Sequence, residues 1–408
     1  MNENSFRQWL SFIGPGIVLA ATGIGSGDMI ATAVGGANFG TSILWSVGLG
    51  VTLKFALNES MARFQLATGE TILEAWMKYL HRSVSIIFLI YLLLWSFIVA
   101  AATISATGLA AHTLFPSLSV AQWAILHSIV AYVLVRVGSY YFLEQIMKIL
   151  IAGMFVLIVY CAWSLGISWN TMQGFFPTLN AKHMISVFSI IGAVGGSVTL
   201  LSYSYWMQER KWQGIKYLSA VRLDLFVAYA LTGCFCAAVV VIASRVDSSA
   251  LQGGNIVILL AEQIQIASNP LGKKLFIWGF WAAVFSSVLG VWQGVPYIFE
   301  NYLQFKYTKN NDNNAVQNYI KQHAYHIYLL YLAFPPLLLL LFNKPVWVVI
   351  IYTLVGALFM PFLAFSLFLL NNRKNLMQEA RNKFISNFVL LFCLFIFIAM
   401  AVYEISKL

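Results

Sequence analysis

Hydrophobic residues run along this chain in long unbroken stretches, without the polar positions that a soluble fold places every second or third residue. Eleven such stretches stand out, at 13–35, 41–66, 85–110, 120–137, 143–165, 185–206, 219–244, 274–302, 325–342, 345–370 and 385–404. About 20 apolar residues suffice for a helix to cross the hydrocarbon core, where backbone polar groups must be satisfied within the helix itself. The pattern predicts an all-α polytopic membrane protein of eleven transmembrane helices, one transmembrane domain over 1–408. The first stretch follows Arg7 and has the look of a signal peptide, but ten further spans behind it favour an uncleaved first helix. Loops are short, and the longest polar stretch, Lys306 to Gln322, reads as solvated loop.

Two spans interrupt themselves. The first carries Thr22-Gly23-Ile24-Gly25-Ser26-Gly27-Asp28, and the sixth carries Gly192-Ala193-Val194-Gly195-Gly196-Ser197. Glycine costs a helix about 1 kcal/mol per position relative to alanine. Unwound backbone at membrane depth is tolerated only against a cavity or inside the protein. Breaks at corresponding places in two halves mark the central site of a secondary transporter. Spans one and six are five apart, as two inverted five-helix repeats require, repeat one over about 13–165 and repeat two over about 185–370. The expectation is that unwound segments near 22–28 and 193–198 face each other. Close helix packing through small residues is the plainer use of the same glycines.

Composition agrees and narrows the classes. Of 408 residues, 60% are hydrophobic and 9% charged, with mean hydropathy +0.80, against about 25% charged in a soluble domain. A cytosolic enzyme, a secreted disulfide scaffold and a nucleic-acid-binding domain are excluded. The net charge of +10 has a topological explanation, because Lys and Arg collect in cytoplasmic loops. With the N-terminus inside, six of the 24 basic residues fall outside (Lys182, Arg245, Lys273, Lys274, Lys344 and Lys407). Lys54 lies within a span, and the remaining seventeen cluster inside around Lys78/Arg82, Arg210/Lys211/Lys216/Arg222, Lys306/Lys309/Lys321 and Arg373/Lys374/Arg381/Lys383. This places the N-terminus in the cytoplasm and the C-terminus outside. Cys161, Cys234, Cys236 and Cys393 all sit in apolar runs, so neither a disulfide framework nor a metal knuckle is indicated.

Several segments together resemble the Nramp family of proton-coupled divalent metal transporters. They are Gly14-Pro15-Gly16 before the first break, Ile43-Leu44-Trp45, and Ala62-Arg63-Phe64-Gln65-Leu66-Ala67-Thr68-Gly69. Phe142-Leu143-Glu144, Gly192-Ala193, Gln208-Glu209-Arg210, Ser286-Ser287 with Glu300, Pro361, and Asn372-Arg373-Lys374-Asn375-Leu376-Met377 continue the similarity along nearly the whole chain. The resemblance implies the LeuT-like five-plus-five inverted repeat of the APC superfamily, with broken helices 1 and 6 and an eleventh helix added over about 385–404. The implied setting is an integral protein of a bacterial inner (plasma) membrane.

The implied chemistry departs from that family at its centre. Metal-carrying members use Asp-Pro-Gly-Asn in the first break, where this chain has Gly25-Ser26-Gly27-Asp28. Their sixth-helix Met-Pro-His falls on Gly196-Ser197-Val198, so the soft thioether that favours Mn²⁺ and Fe²⁺ over Mg²⁺ and Ca²⁺ is gone. A further histidine aligns with Tyr203, and the acids of the proton route align with Ala100 and Thr103.

Thr22, Gly25, Ser26, Asp28, Gly195, Gly196 and Ser197 are therefore the candidate substrate-binding residues. Asp28, the single carboxylate in either break, suits a hard cation, a substrate ammonium or a partnership with Lys54; its plainer role is to cap the second half-helix. Lys54 is a candidate charge partner, as a built-in ammonium in place of a coupling ion or as one side of a buried pair. Ser286 and Ser287 can join helix-one carbonyls around Na⁺, or simply satisfy neighbouring backbone. Asp224 near Arg222 and Glu144 near Lys148 read as ion pairs at inner helix ends, and His323 and His326 as interfacial residues.

The resulting expectation is a secondary transporter taking up a cation, such as Mg²⁺ or Mn²⁺, through a site lacking the soft ligand. A same-fold symporter of a small organic solute (an amino acid or amine) and a non-transporting membrane sensor or scaffold are the alternatives. No bound cofactor is expected, coupling to Na⁺ or H⁺ is open, and the partners are the bilayer and a small ion or molecule, with no nucleic acid.

Overall fold

The computed structural model describes residues 13–165, 181–246, 256–267, 270–308, 314–342 and 345–405. Among them there is no strand. The expectations placed on Arg7, Lys309–Asn313, Lys344 and Lys407 lie outside the described residues.

Helices α1 (Pro15–Gly23) and α2 (Ser26–Phe39) form the first span, and α3 (Leu44–Thr68) the second. A short amphipathic helix, α4 (Ile72–Tyr79), leads into α5 (Arg82–Leu114), followed by α6 (Val120–Val137) and α7 (Tyr140–Ser164). The sixth span comprises α8 (Ala181–Ala193), a 3₁₀ turn at Val198–Leu201 and α9 (Ser202–Glu209). Then come α10 (Leu218–Ala243), α11 (Ile256–Ala267), α12 (Pro270–Thr308), α13 (Asn314–Ala333), α14 (Pro345–Asn371), α15 (Lys374–Met377) and α16 (Phe384–Ile405).

Each of the eleven apolar stretches falls on helix. The count of spans is another matter. Among the described residues, eight helical stretches are long and apolar enough to cross a bilayer, or nine if the pair Lys374–Ala380 and Phe384–Ala399, bent by 117°, is one span. Part of the difference is that α2 and α3 follow one another through the 3₁₀ turn Gly40–Ile43 and count as one stretch, Ser26–Thr68. The stretch Lys306–Gln322, expected as loop, is helical up to Thr308 and again from Asn314, because both neighbouring helices continue past their apolar segments. Neither α4 nor α11 was expected, each being shorter than a span.

Lipid does not drive apolar helices together as water does, so close packing and polar contacts must hold them. Glycines supply the close packing. A β-carbon on Gly16 would lie 2.3 Å from the Asp224 carbonyl oxygen, and one on Gly290 would lie 1.8 Å from Thr22 Oγ1. Helix α10 thereby packs against α1, α2 and α3, and α12 against α1, α5, α7 and α13. The interior is aromatic and aliphatic, with Trp76, Trp95, Trp206, Trp292 and Phe64 fully enclosed. Outward faces carry Ile87, Leu94, Ile149, Trp163 and Phe384, as a lipid-bathed surface should.

Polar ties sit at the helix ends. Asp224 was expected in an ion pair; instead its carboxylate accepts from the Gly14 N–H (2.9 Å), the Gly16 N–H (2.6 Å) and the Tyr203 hydroxyl (2.9 Å). It fills the role of an N-cap acceptor for α1, whose own cap residue, Gly14, has no side chain to offer. Glu144 does form ion pairs, with Lys148 at 2.6 Å and with Arg210. Glu59 takes Arg222 at 2.8 Å and Arg63 at 3.3 Å, and Arg63 reaches on to Asn382 at 2.8 Å.

Gly16→Ala should lower the thermal melting point in detergent, by the equivalent of about 1–3 kcal/mol for overpacking against fixed backbone. Gly153→Ala, where nothing lies within 4 Å, should be neutral or slightly stabilising. Equal melts for the two variants would contradict the packing described.

Candidate functional site

The first break occupies Ile24 and Gly25. Both are extended (Ile24 φ −73°, ψ 105°; Gly25 φ −151°, ψ −157°), so α1 ends and α2 restarts with its first N–H groups unpaired. The second break needs glycine more strictly. Gly195 and Gly196 lie at φ +79° and +81°, a left-handed conformation that side-chain-bearing residues avoid.

The two breaks touch. A β-carbon on Gly23 would stand 3.0 Å from the Gly195 carbonyl carbon, so backbone meets backbone there. Asp28 fastens them: its Oδ1 accepts from the Gly195 N–H at 2.9 Å, while its Oδ2 accepts from the Gly25 N–H at 3.3 Å. The carboxylate thus caps α2 and at the same time bonds to the opposite break. It sits at the N-terminal, electropositive end of a helix. The Cys236 thiol on α10 approaches Oδ1 at 4.0 Å.

Lys54 supplies the opposite charge. It is fully buried on α3, and its ammonium donates to the carbonyls of Gly192 (3.2 Å) and Gly196. These carbonyls lie at the electronegative C-terminal end of α8 and just beyond it, which leaves them free of helical partners. Asp28 and Lys54 form no direct ion pair; each is bound to backbone of the sixth-span break. Glu59, five residues beyond Lys54, is engaged elsewhere with Arg63 and Arg222.

The remaining candidates gather around this core. The Ser286 hydroxyl donates to Ala21 O at 3.0 Å and the Ser287 hydroxyl to Thr22 O at 2.8 Å, so both hold the last carbonyls of α1. Thr22 Oγ1 donates to Val18 O at 2.6 Å. Ser197 Oγ accepts from Trp95 Nε1 at 3.1 Å, and a β-carbon on Gly356 of α14 would lie 2.8 Å from it. Ser26 Oγ and Thr199 Oγ1 are buried with no hydrogen-bond partner. These two orphaned oxygens flank the breaks as ready acceptors for a small polar ligand.

Thr22, Gly25, Ser26, Asp28, Gly195, Gly196, Ser197, Lys54, Ser286 and Ser287 therefore all lie at or beside one junction, whereas Asp224 and Glu144 lie elsewhere. Sequence reasoning missed Thr199, Trp95 and Cys236. Thr199 follows the glycine cluster closely enough to have been flagged; Trp95 and Cys236 come from other helices and carried no local signal. At the positions expected to lack proton-route acids, Ala100 and Thr103 are buried, and Thr103 Oγ1 bonds to Val99 O at 2.9 Å. Among the described residues, no group of three or more His, Cys, Asp or Glu side chains is placed to hold a metal ion.

In sequence, the family described as Nramp, natural resistance-associated macrophage protein-like, matches residues 16–407. The divalent metal cation transporter MntH of Staphylococcus aureus (strain JH9) is 25% identical over 227 residues, 52% of this chain and 50% of that protein. The chain thus spans about half the length of the curated relatives it matches. In structure, the Eremococcus coleocola manganese transporter aligns with TM-score 0.75 at 16% identity, covering 100% of this chain and 88% of that one. MhsT, solved in complex with L-phenylalanine, aligns with TM-score 0.55 at 16% identity over 96% and 98% of the two chains. The shared feature at such identities is the fold.

Lys54→Met should destabilise the protein, because it frees two buried carbonyls and leaves Asp28 as an uncompensated charge. Adding Asp28→Asn should recover part of the loss. Thermal melts of both single variants and the double variant measure this, and strictly additive effects would show that the two charges do not sense one another.

Proposed function

The chain belongs to the Nramp family, and from that premise we propose that it is a secondary transporter moving a cation across a bacterial plasma membrane. The single domain divides into repeats at about 13–165 and 185–370, with the N-terminus cytoplasmic and the C-terminus outside. The cargo passes between the two breaks, where Asp28 is the anionic ligand and Thr22, Gly25, Ser26, Gly195, Gly196 and Ser197 line the path.

The observation that carries this reading is that one buried carboxylate bonds to both broken helices. A ligand that draws on Asp28 therefore acts on the two moving parts together. A cation 4 Å from a carboxylate gains about 4 kcal/mol at an effective dielectric near 20. Hydroxyl and carbonyl oxygens around Asp28 suit a hard ion that keeps part of its water, such as Mg²⁺, as well as they suit Mn²⁺. Lys54 acts as a resident ammonium on the carbonyls of the second break, balancing Asp28 while cargo is absent. Ser286 and Ser287, beside Ala21 O and Thr22 O, are the place for a coupling Na⁺.

A second reading draws on the same two charges. One buried carboxylate and one buried ammonium are complementary to a zwitterion, and the similarly folded MhsT was solved with L-phenylalanine. Calorimetry on the purified protein with Mg²⁺, Mn²⁺ and Ca²⁺ beside a panel of amino acids separates the two. Heat from the cations that disappears in Asp28→Asn supports the first reading; heat from an amino acid alone supports the second; silence from both leaves a non-transporting sensor.

In proteoliposomes, Mg²⁺ or Ca²⁺ should compete with Mn²⁺ at comparable concentrations, since Gly196 offers no thioether. A strong Mn²⁺ preference would point to a soft ligand elsewhere, with Cys236→Ser the variant to examine. Uptake should leave intravesicular pH unchanged, because α5 carries Ala100 and Thr103 where acids would relay protons. Acidification in step with uptake would count against this.

A further inference from the structure

Lys54 holds its ammonium on two carbonyls of the second break, those of Gly192 (3.2 Å) and Gly196. Gly196 borders the junction itself: a β-carbon there would lie 2.5 Å from the orphaned Thr199 Oγ1 and 3.5 Å from Gly23 Cα. Asp28 and Lys54 thus hold adjacent residues of one break, Gly195 and Gly196. A cation arriving at Asp28 meets a second cation close by, seated on an oxygen that it would otherwise use. Like charges at short range repel strongly where water is excluded, so binding requires the ammonium to give way.

A place for it lies one turn along α3. Asn58 is fully buried, four residues beyond Lys54 and so on the same face of the helix. Side chains on a helix lean toward its N-terminus, which tilts Asn58 back over Lys54. Its Nδ2 donates to the Tyr229 hydroxyl of α10 at 3.3 Å, while its Oδ1 has no hydrogen-bond partner among the described residues. Buried acceptors are seldom left unpaired, because each has given up its hydration. Tyr229 joins the two places. A β-carbon on Gly195 would stand 2.9 Å from Tyr229 Cε1 and 3.8 Å from Lys54 Cβ. One edge of the ring is therefore at the break, beside the lysine stem, and its hydroxyl is at Asn58. Phe55 packs edge-on against the same ring, with centroids 6.3 Å apart.

We propose that Asn58 Oδ1 and the Tyr229 hydroxyl oxygen form a second seat for the Lys54 ammonium, taken up when a cation binds at Asp28. The flexible four-carbon stem of a lysine allows the move without a change in the backbone. With the site empty, the ammonium rests on Gly192 and Gly196. An arriving cation draws on Asp28 and the Gly196 carbonyl, and the ammonium shifts one turn toward the C-terminal end of α3. Asn58 touches no cargo; it is a positioning residue that acts through Lys54. The proposal rests on the cation reading above and adds how that site makes room for its charge.

Calorimetry with Mn²⁺ and Mg²⁺ on the purified full chain reads the second seat through affinity. Asn58→Leu, close in volume but without an acceptor, should weaken binding of both ions about tenfold, the contribution of one hydrogen bond to a charged group. Its melting temperature should stay near that of the wild type. In Lys54→Met, with no ammonium to move, the same substitution should weaken binding no further. Unchanged affinity in Asn58→Leu would overturn the proposal, as would an equal loss in both backgrounds. Thermal melts without any cation test the seat separately from the cation reading. Asn58→Asp offers Lys54 a full charge, so this variant should melt close to the wild type; in Lys54→Met it buries an unpaired carboxylate and should melt far lower. Equal shifts in the two backgrounds would overturn the proposal whatever the cations do. Should Lys54→Met not fold, the two single Asn58 variants decide, and an Asn58→Asp protein that melts far below the wild type counts against the seat. Wild-type protein that gives no heat with either ion, while the melts differ as described, would remove the cation reading and still support the second seat.

Discussion

The bond between the Asp28 carboxylate and the Gly195 N–H is the contact on which the centre of this protein depends. Breaking a helix inside a membrane exposes backbone donors and acceptors where no bulk water can satisfy them. Here several of the exposed groups are met by side chains. Asp28 takes the donors of Gly25 and Gly195, Lys54 takes the acceptors of Gly192 and Gly196, and the two serines of α12 take those of Ala21 and Thr22. Remove the carboxylate and the breaks lose both their link and the charge that offsets Lys54.

The rest of the bundle is arranged to permit that contact. Backbone of the two breaks approaches closely because Gly23 has no side chain to hold Gly195 away. The approach angle of α1 is set from its other end by Asp224, which bonds to Gly14 and Gly16 while also receiving Tyr203 of α9. One acid near each end of α1 thus bonds to the sixth span. Since apolar burial contributes little between helices in lipid, these charge-assisted hydrogen bonds and the small-residue contacts carry a large share of the specificity.

How much of this was legible in the sequence follows from the kind of signal each feature leaves. Apolar stretches and glycine clusters are local patterns, and both the helices and the two breaks stand where they predicted. A contact between residues more than a hundred positions apart leaves no such mark. The i, i+4 spacing of Glu144 and Lys148 led correctly to an ion pair, whereas Asp224, beside Arg222 in sequence, bonds to backbone on another helix. Lys54 announced itself as a charge in an apolar span, but nothing local indicated that its partners would be carbonyls rather than Asp28. The count of spans was the least secure inference, because broken, bent and merged helices blur length as a criterion.

At the second break the positive charge is part of the protein itself. Gly196, in a left-handed backbone conformation, presents its carbonyl to Lys54. An uncompensated carboxylate in a desolvated break would be costly, and the ammonium lowers that cost by occupying acceptors that a cation would otherwise draw on. The second break is thus held by a tethered cation on its carbonyls and by the Asp28 carboxylate on its N–H.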